Sequence, residues 1–185
     1  MKDHRLNRFI RRGGIVAYPT ESCFGLGCDP KNRKAINKII KLKKRSLNKN
    51  FILIGSSIKQ FNYFINPLNN STSIDLFSKW PGPHTWLIEA NNRCPNWLKN
   101  NSKIALRISS FYPCQTLTKS LDMAITSSSL NLSGKISLKS YRDVWESFQT
   151  VFSDFFKMSG LLAIFPYIVE TEISIKNLTD IFRHI

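Results

Sequence analysis

The sequence predicts one α/β domain with a mixed β-sheet, extending over residues 1–185. Three observations lead to this fold class. Short apolar runs alternate irregularly with amphipathic segments, which is typical of strands and helices packed in layers. Neither an internal repeat nor a linker rich in Pro, Gly or Ser divides the chain. A length of 185 residues is enough for one well-buried core and short for two.

The first elements are set by apolar runs and by the residues that interrupt them. Residues 14–18 (GIVAY) form a short apolar run stopped by Pro19, which predicts a buried strand. Residues 19–30 contain two glycines and several small polar residues, so we interpret them as a loop that lets the backbone approach a ligand. Residues 31–44 carry apolar side chains at helical spacing and lysines on the other face, which predicts an amphipathic helix. Residues 51–54 (FILI) are a second buried-strand candidate.

The remaining elements are assigned from apolar spacing, caps and proline or glycine breaks. The predicted helices are 59–65, capped by Ser56 or Ser57, then 73–79, 115–121, and a helix that begins at the capping box Ser140-x-x-Asp143 and runs through Phe148. The predicted strands are 85–90, 104–108, 123–126, which runs into the polar stretch 127–129, and the apolar run 161–169, where Pro166 indicates an edge position.

The composition is that of a globular protein with a strong positive charge. Hydrophobic residues make up 42% of the chain and aromatic residues 12%, which argues against a disordered protein. Lys and Arg number 27 against 12 Asp and Glu, and the resulting charge of +15 attracts polyanions such as nucleotides and RNA. A bias of the whole sequence toward Lys, Asn, Ile and Ser is an alternative source of part of this charge.

The cysteines and the hydropathy bear on localisation. Four cysteines are scattered without CxxC spacing or paired histidines, which speaks against a zinc site or a disulfide framework. No apolar run approaches the roughly 20 residues that cross a bilayer, and the N-terminus lacks the apolar segment of a signal peptide. We therefore expect a cytoplasmic protein without a membrane partner.

Any nucleotide site has to be assembled from separate segments, because the common phosphate-binding fingerprints are missing. GxxxxGK[ST] does not occur, and Gly25 and Gly27 lack the third glycine of a dinucleotide-binding turn. Polar clusters do adjoin apolar runs, where open α/β sheets bind ligands. They are residues 19–22, residues 43–45 with Lys49, and residues 127–129 with Asn131 and Ser133.

Converging cations and hydroxyls of this kind suit a triphosphate, because cations neutralise charge on the leaving pyrophosphate while hydroxyls orient the phosphate oxygens. A second interpretation stays open at this point, in which the cations only solvate a helix end and complement its dipole.

Five motifs in the same order resemble those of the YrdC-like family, over residues 13–134. They are 14–21 (GIVAYPTE) with 24–29 (FGLGCD), 42–45 (LKKR), which contains the family's K-x-R pattern, 80–85 (WPGPHT), 106–108 (LRI) and 127–134 (SSSLNLSG), with a weaker echo at 171–173 (TEI). Each motif alone is weak, but five in order are hard to obtain by chance.

The resemblance implies a fold and an activity. The fold is an open α/β structure around a large twisted, mixed sheet with a positively charged concave face, flanked by helices. The activity is that of a nucleotidyltransferase, which makes threonylcarbamoyl-adenylate from L-threonine, bicarbonate and ATP and releases pyrophosphate. Other proteins then pass the threonylcarbamoyl group to an adenosine of tRNA. Mg²⁺ is expected on the ATP phosphates and water, without a dedicated carboxylate cage.

The same resemblance assigns roles to ten residues. Lys43 and Arg45 would hold phosphates and act as catalytic groups. The other ATP contacts would be Thr85, Ser129, Asn131 and Thr171, and the threonine and bicarbonate contacts would be Thr20, Lys49, Arg107 and Ser127.

Three features depart from the family pattern or invite other interpretations. Ser46 stands where the family usually has Pro after K-x-R, and Ser128 and Leu130 replace the usual Thr and Ala. Cys23 could act as a nucleophile, but it has no neighbouring His in the sequence, so packing is favoured.

The alternative function is a non-catalytic module of the same fold that binds double-stranded RNA or tRNA, which the charge of +15 would also suit.

Overall fold

The structure is a computed structural model, and it describes residues 4–43, 51–131, 136, 137, 139, 140, 142–144 and 146, together with the backbone of 162–164. The α-helices are α1 (His4–Arg11), α2 (Arg33–Lys43), α3 (Asn70–Phe77) and α4 (Tyr112–Leu121), and short 3₁₀ helices span Ile58–Phe61 and Asn96–Leu98. The strands are β1 (Ile15–Pro19), β2 (Phe24–Gly27), β3 (Ile52–Gly55), β4 (Trp86–Glu89), β5 (Lys103–Ile108), β6 (Ile125–Ser129) and β7 (Leu162–Ile164).

The seven strands of the described residues form one sheet in the order β4-β5-β3-β6-β2-β1-β7. The pairs β3 with β5 and β1 with β7 are parallel, whereas the other four neighbouring pairs are antiparallel. The prediction of an open, mixed α/β sheet is therefore confirmed. The last apolar run does supply an edge strand, β7, although Pro166 itself lies outside the described residues.

Side chains alternate along the strands and divide the core between the two faces of the sheet. Ile15 and Ala17 of β1 belong to the core that includes α2, so we call this the α2 face. Val16 and Tyr18 belong to the core that includes α1 and α4, so we call the opposite side the α4 face. Helices thus lie on both faces, which agrees with the expectation of a sheet flanked by helices.

The predicted loop 19–30 is wrong in one respect, because β2 lies inside it. Its two glycines favour a loop in the sequence, but Phe24 and Leu26 alternate with them and are buried. Gly27 is needed for close packing of strands: a Cβ there would lie 2.8 Å from the Thr126 carbonyl oxygen. Glycine in this strand marks a close approach of backbones and not a loop.

The predicted helix 59–65 is also wrong, because a single 3₁₀ turn forms there with Ser57 as an N-cap that makes no side-chain bond. Competing hydrogen bonds explain the difference. The Asn91 amide donates to the carbonyls of Tyr63 and Ile65, and the Gln60 amide donates to the Thr118 carbonyl of α4. These bonds fold the segment onto its neighbours instead of extending a helix.

Other elements agree within a few residues, with one addition. Helix α1 was not predicted, and its Leu6 and Ile10 pack into the core of the α4 face. The capping box is confirmed, since the Asp143 amide donates to the Ser140 hydroxyl at 3.0 Å and the Ser140 amide donates to the Asp143 carboxylate at 3.3 Å. The predicted end of that helix at Phe148 lies outside the described residues.

No described helix has both the length and the apolar character needed to cross a membrane. The organisation of residues 1–185 as a single domain stays a prediction.

Candidate functional site

A pocket of about 340 Å³ opens on the α4 face of the sheet. Its walls come from β2, β3, β5, β6 and the turn between β1 and β2. Four of the ten predicted site residues line it: Thr20, Arg107, Ser127 and Ser129. Segments that are far apart in the sequence therefore meet around one cavity.

Strand register explains why these side chains share one face. Ile54 pairs with Arg107, Ile52 pairs with Ser127, and Gly25 pairs with Ser129. Paired residues in neighbouring strands point to the same side of a sheet, and residues two apart in one strand do so as well. Ile54 belongs to the core of the α4 face, so its partner Arg107 lies on that face too.

The polar serines of the predicted stretch 127–129 lie within β6, where they are part of the strand and not a loop after it. Ile125 of the same strand packs into the core of the α4 face, whereas Ser127 and Ser129 line the pocket. The residues of β6 on this face change from apolar to polar where the strand leaves the helix-covered core and reaches the cavity. Sequence periodicity alone does not reveal this change.

Lys43, at the end of α2, forms a compact cluster with the end of β6. Its ammonium donates to the Ser129 carbonyl, to the Ser129 hydroxyl at 3.4 Å and to the Asn131 side-chain oxygen at 3.0 Å. The Ser129 hydroxyl also donates to the Asn131 oxygen at 2.7 Å. Lys43 is only 3% exposed, and a buried ammonium persists only when oxygens compensate for lost water. Three of the predicted ATP ligands therefore form one unit.

Arg107, on β5, forms a second cluster, and this one lies within the pocket lining. Its Nη2 donates to the Glu21 carboxylate at 2.8 Å, and its Nε donates to the Gly82 carbonyl at 3.2 Å. The Ser109 hydroxyl donates to the same Glu21 oxygen at 2.6 Å. Sequence reasoning placed Glu21 in a polar cluster but gave it no role; its position directly after a buried strand, beside Thr20, was the available signal.

Thr20 shapes the turn between β1 and β2. Its hydroxyl donates to the Cys23 carbonyl at 2.6 Å, and its backbone amide donates to the same oxygen at 2.9 Å. Gly25 lies next to it, where a Cβ would come within 3.3 Å of the Thr20 methyl carbon and of the Tyr18 ring. The glycine therefore keeps the pocket floor open beside Thr20.

The remaining predicted site residues are less closely tied to the pocket. Thr85 is exposed, directly precedes β4, and is not part of the lining formed by the described residues. It stands next to Trp86, whose partner across the strands is Leu106, the neighbour of Arg107. Arg45, Lys49 and Thr171 lie outside the described residues. The roles of all ten site residues stay predictions.

The cysteines differ in their surroundings, although all four are free. Burial raises the pKa of the Cys28 thiol and of the Cys114 thiol to about 12, so both stay protonated and unreactive near neutral pH. Cys23 is partly exposed and lines the pocket. Its Sγ has the Ser22 hydroxyl as a neighbour at 3.8 Å.

One cation, Arg107, and a row of hydroxyls line this pocket, and the Lys43 ammonium adjoins the lining through Ser129. Such groups can bind an anionic ligand. Among the described residues no group of three His, Cys, Asp or Glu side chains could hold a metal ion. The carboxylate in the pocket lining, Glu21, is already bonded to Arg107 and Ser109. The donor set therefore suits phosphate and carboxylate oxygens better than a bare cation.

The fold and the pocket together define an open α/β protein with a pocket lined by an arginine and several hydroxyls on one face of its sheet. The chain belongs to the Sua5/YciO/YrdC family, whose model, described as "Telomere recombination", matches residues 8–160. The family resemblance predicted from five motifs is thus confirmed.

Curated relatives share much of the chain. It is 38% identical over 144 residues to a threonylcarbamoyl-AMP synthase of Methylobacillus flagellatus, covering 77% of this chain and 80% of that one. It is 44% identical over 138 residues to a threonylcarbamoyl-AMP synthase of Wigglesworthia glossinidia brevipalpis, covering 73% and 71%.

A solved structure supports the same relationship. The crystal structure of P. abyssi Sua5 complexed with L-threonine matches with a TM-score of 0.70 at 27% identity. The match covers 78% of this chain but 43% of that one, so this chain spans less than half the length of that protein.

Proposed function

We propose that this protein is a threonylcarbamoyl-AMP synthase, which makes L-threonylcarbamoyladenylate and pyrophosphate from L-threonine, bicarbonate and ATP. The observation that carries the proposal is that Arg107 lines the same pocket as Ser129, and Ser129 in turn binds the Lys43 ammonium behind the lining. The names of the relatives support this enzyme over a non-catalytic RNA-binding module.

The reaction joins three substrates in two steps. The amine of threonine and bicarbonate first form a carbamate with loss of water. A carbamate oxygen then attacks the α-phosphorus of ATP in line, a P–O bond forms, and pyrophosphate departs as the bond to the β-phosphate oxygen breaks. Positioning and charge neutralisation dominate such phosphoryl chemistry, so the chain needs cations and hydrogen-bond donors more than a nucleophile.

Lys43 and Arg45 are the proposed phosphate-binding and catalytic cations. The Lys43 ammonium is held by Ser129 and Asn131, which fixes it before ATP arrives. A preorganised cation in a partly dry site stabilises developing charge without reorganisation at the moment of reaction. Ser129, Asn131, Thr85 and Thr171 complete the proposed ATP contacts.

Arg107 is the proposed partner of the threonine carboxylate. A guanidinium forms charge-assisted hydrogen bonds with a carboxylate, which makes Arg suited to select an amino acid. Thr20 and Ser127 line the same pocket and can orient the carbamate and the substrate hydroxyl, with Lys49 as a further proposed contact.

Mg²⁺ is proposed to arrive with ATP. Serine hydroxyls line the pocket near β6, and its carboxylate is engaged by Arg107, so the ion would keep water and phosphate oxygens as its ligands. When bound it neutralises triphosphate charge. The product is proposed to pass to the proteins that transfer threonylcarbamoyl groups to tRNA in the cytoplasm.

The test measures pyrophosphate release from ATP, with mass spectrometry of the product. Release should require both threonine and bicarbonate, and a rate that is unchanged without threonine would refute the proposal. In calorimetry, Arg107→Ala should weaken threonine binding more than about tenfold, because a charge-assisted pair is lost. Arg142→Ala is the matched control, since Arg142 is well exposed and pairs only loosely with Glu146, at 3.7 Å; it should bind threonine like the wild type.

A further inference from the structure

Glu21 places a negative charge beside the cation that would bind an anionic substrate. The Glu21 and Arg107 side chains are 27% and 21% exposed, and their closest oxygen and nitrogen are 2.8 Å apart. A carboxylate here competes with the substrate for the guanidinium unless it serves another purpose. Its contacts indicate what that purpose is.

The guanidinium of Arg107 is held at two of its nitrogens. Glu21 accepts from Nη2, and the Gly82 carbonyl accepts from Nε. Gly82 is itself fixed, because its amide donates to the Ile108 carbonyl at 2.9 Å. Two acceptors on a planar group determine its orientation, and among the described residues none bonds to Nη1. That nitrogen is left for a ligand.

Glu21 is held independently of Arg107. The Ser109 hydroxyl, fully buried, donates to its Oε1 and accepts from the Phe111 amide at 3.0 Å. Ser109 is further tied to α4, where Gln115 donates to its carbonyl at 3.0 Å. The carboxylate is therefore anchored through β5 and the start of α4, so Arg107 is positioned by a rigid frame.

We infer that Glu21 is a positioning residue for substrate binding: with Ser109 and Gly82 it fixes the Arg107 guanidinium so that Nη1 meets the carboxylate of the amino-acid substrate. The inference rests on the proposed function. It assigns Glu21 a role that acts through Arg107 and not through contact with the reacting atoms. Because the Arg107 guanidinium is already oriented, substrate binding does not have to include the free-energy cost of ordering this long side chain.

Two variants separate the geometry of Glu21 from its charge. Glu21→Gln keeps an oxygen that can accept from Arg107 and Ser109, whereas Glu21→Ala removes both bonds. We expect Glu21→Ala to raise the KM for threonine about tenfold, as loss of a charge-assisted bond does, while the KM for ATP stays within about twofold. Glu21→Gln should recover most of the loss, to within about threefold of the wild type.

The matched control is Glu89→Ala, which removes a glutamate from an exposed pair with Lys103 and should leave both KM values unchanged. The inference is overturned if Glu21→Ala lowers the KM for threonine, which would mark Glu21 as a competitor. It is also overturned if both KM values rise together, or if Gln behaves like Ala.

A second measurement does not depend on turnover. Phenylglyoxal modifies accessible arginines, and Arg107 labelling in the full chain can be followed by mass spectrometry. We expect several-fold faster labelling of Arg107 in Glu21→Ala and little change in Glu21→Gln; equal rates in all three proteins would overturn the positioning role. Failure of the wild type to release pyrophosphate with threonine would instead overturn the proposed function, and with it the ligand named here.

Discussion

Two cavities of nearly equal size lie on this sheet, and they differ in how exposed and how firmly bonded their charged side chains are. The site pocket measures about 340 Å³, and a second cavity between α3 and the edge strand β4 measures about 350 Å³. The second cavity is lined by apolar side chains such as Leu76 and Leu87, with Glu89 and Lys103 among its charged residues. Volume alone would not tell the two apart.

The charges of the second cavity are well solvated. Lys103 and Glu89 are 3.9 Å apart, and their side chains are 49% and 66% exposed, so water screens their attraction. At the site pocket, by contrast, Arg107 in the lining is fixed by Glu21, and Lys43 is buried behind the lining against Ser129 and Asn131. Burying a cation costs desolvation free energy. Folded proteins retain such cations mainly at functional sites.

The largest expected effect is on Lys43. Lys43→Met keeps the length of the side chain and removes the ammonium that Ser129 and Asn131 hold. We expect kcat/KM for pyrophosphate release to fall at least about 100-fold, as when one preorganised electrostatic group is lost.

Lys41→Met serves as the control for Lys43→Met, because Lys41 is exposed on the same helix. It removes the same charge and should leave the rate within about twofold. Thermal unfolding of both variants checks that Lys43→Met still folds. Equal losses of activity in the two variants would mean that overall charge matters and the cluster does not.

A smaller effect is expected from filling each cavity in turn. Ser127→Leu adds bulk to the site pocket, and Thr72→Leu adds comparable bulk to the second cavity. Threonine-dependent pyrophosphate release should fall about tenfold or more in the first variant, since a displacement near 1 Å in a site can cost 10²-fold. It should stay near the wild-type rate in the second. If Thr72→Leu lowered the rate and Ser127→Leu did not, the active site would have to be assigned to the cavity beside β4.

Much of the fold was predictable because buried faces of helices and strands produce periodic apolar residues in the sequence. The apolar runs of β1, β3 and β5 and the amphipathic face of α2 were each recognised from spacing. Strand β2 was missed because its glycines carry no hydrophobic signal, although strand packing requires Gly27. The 3₁₀ turn at Ile58–Phe61 was missed because its partners, Asn91 and Thr118, lie far along the chain.

The site was predictable as a set of motifs but not as a geometry. Resemblance to the family selected Lys43, Ser129 and Asn131, which the structure joins by hydrogen bonds. It assigned no role to Glu21, because a carboxylate that positions an arginine is recognised only when the partner, 86 residues away in the sequence, is seen beside it. Long-range pairing of side chains leaves no local pattern to read.

The smallest effect concerns Cys23, which reports on occupancy of the site pocket. Cys23 is partly exposed in the lining, whereas the other three cysteines are buried and burial raises the pKa of each of those thiols. Alkylating reagents attack the thiolate, so iodoacetamide at pH 8 should label Cys23 first in the folded protein. Threonine and ATP together at saturation should slow that labelling by at least about threefold, since ligand-bound protein reacts only through its unliganded fraction.

Mass spectrometry of peptides gives the labelling rate of Cys23 with and without ligands, and denatured protein, in which all four thiols react alike, is the reference. Protection of Cys23 by both ligands would assign them to this pocket, because the second cavity contains no cysteine in its lining among the described residues. An unchanged rate at saturating ligand would instead indicate that the ligands bind away from the turn between β1 and β2, and the contrast between the two cavities would then lose its functional meaning.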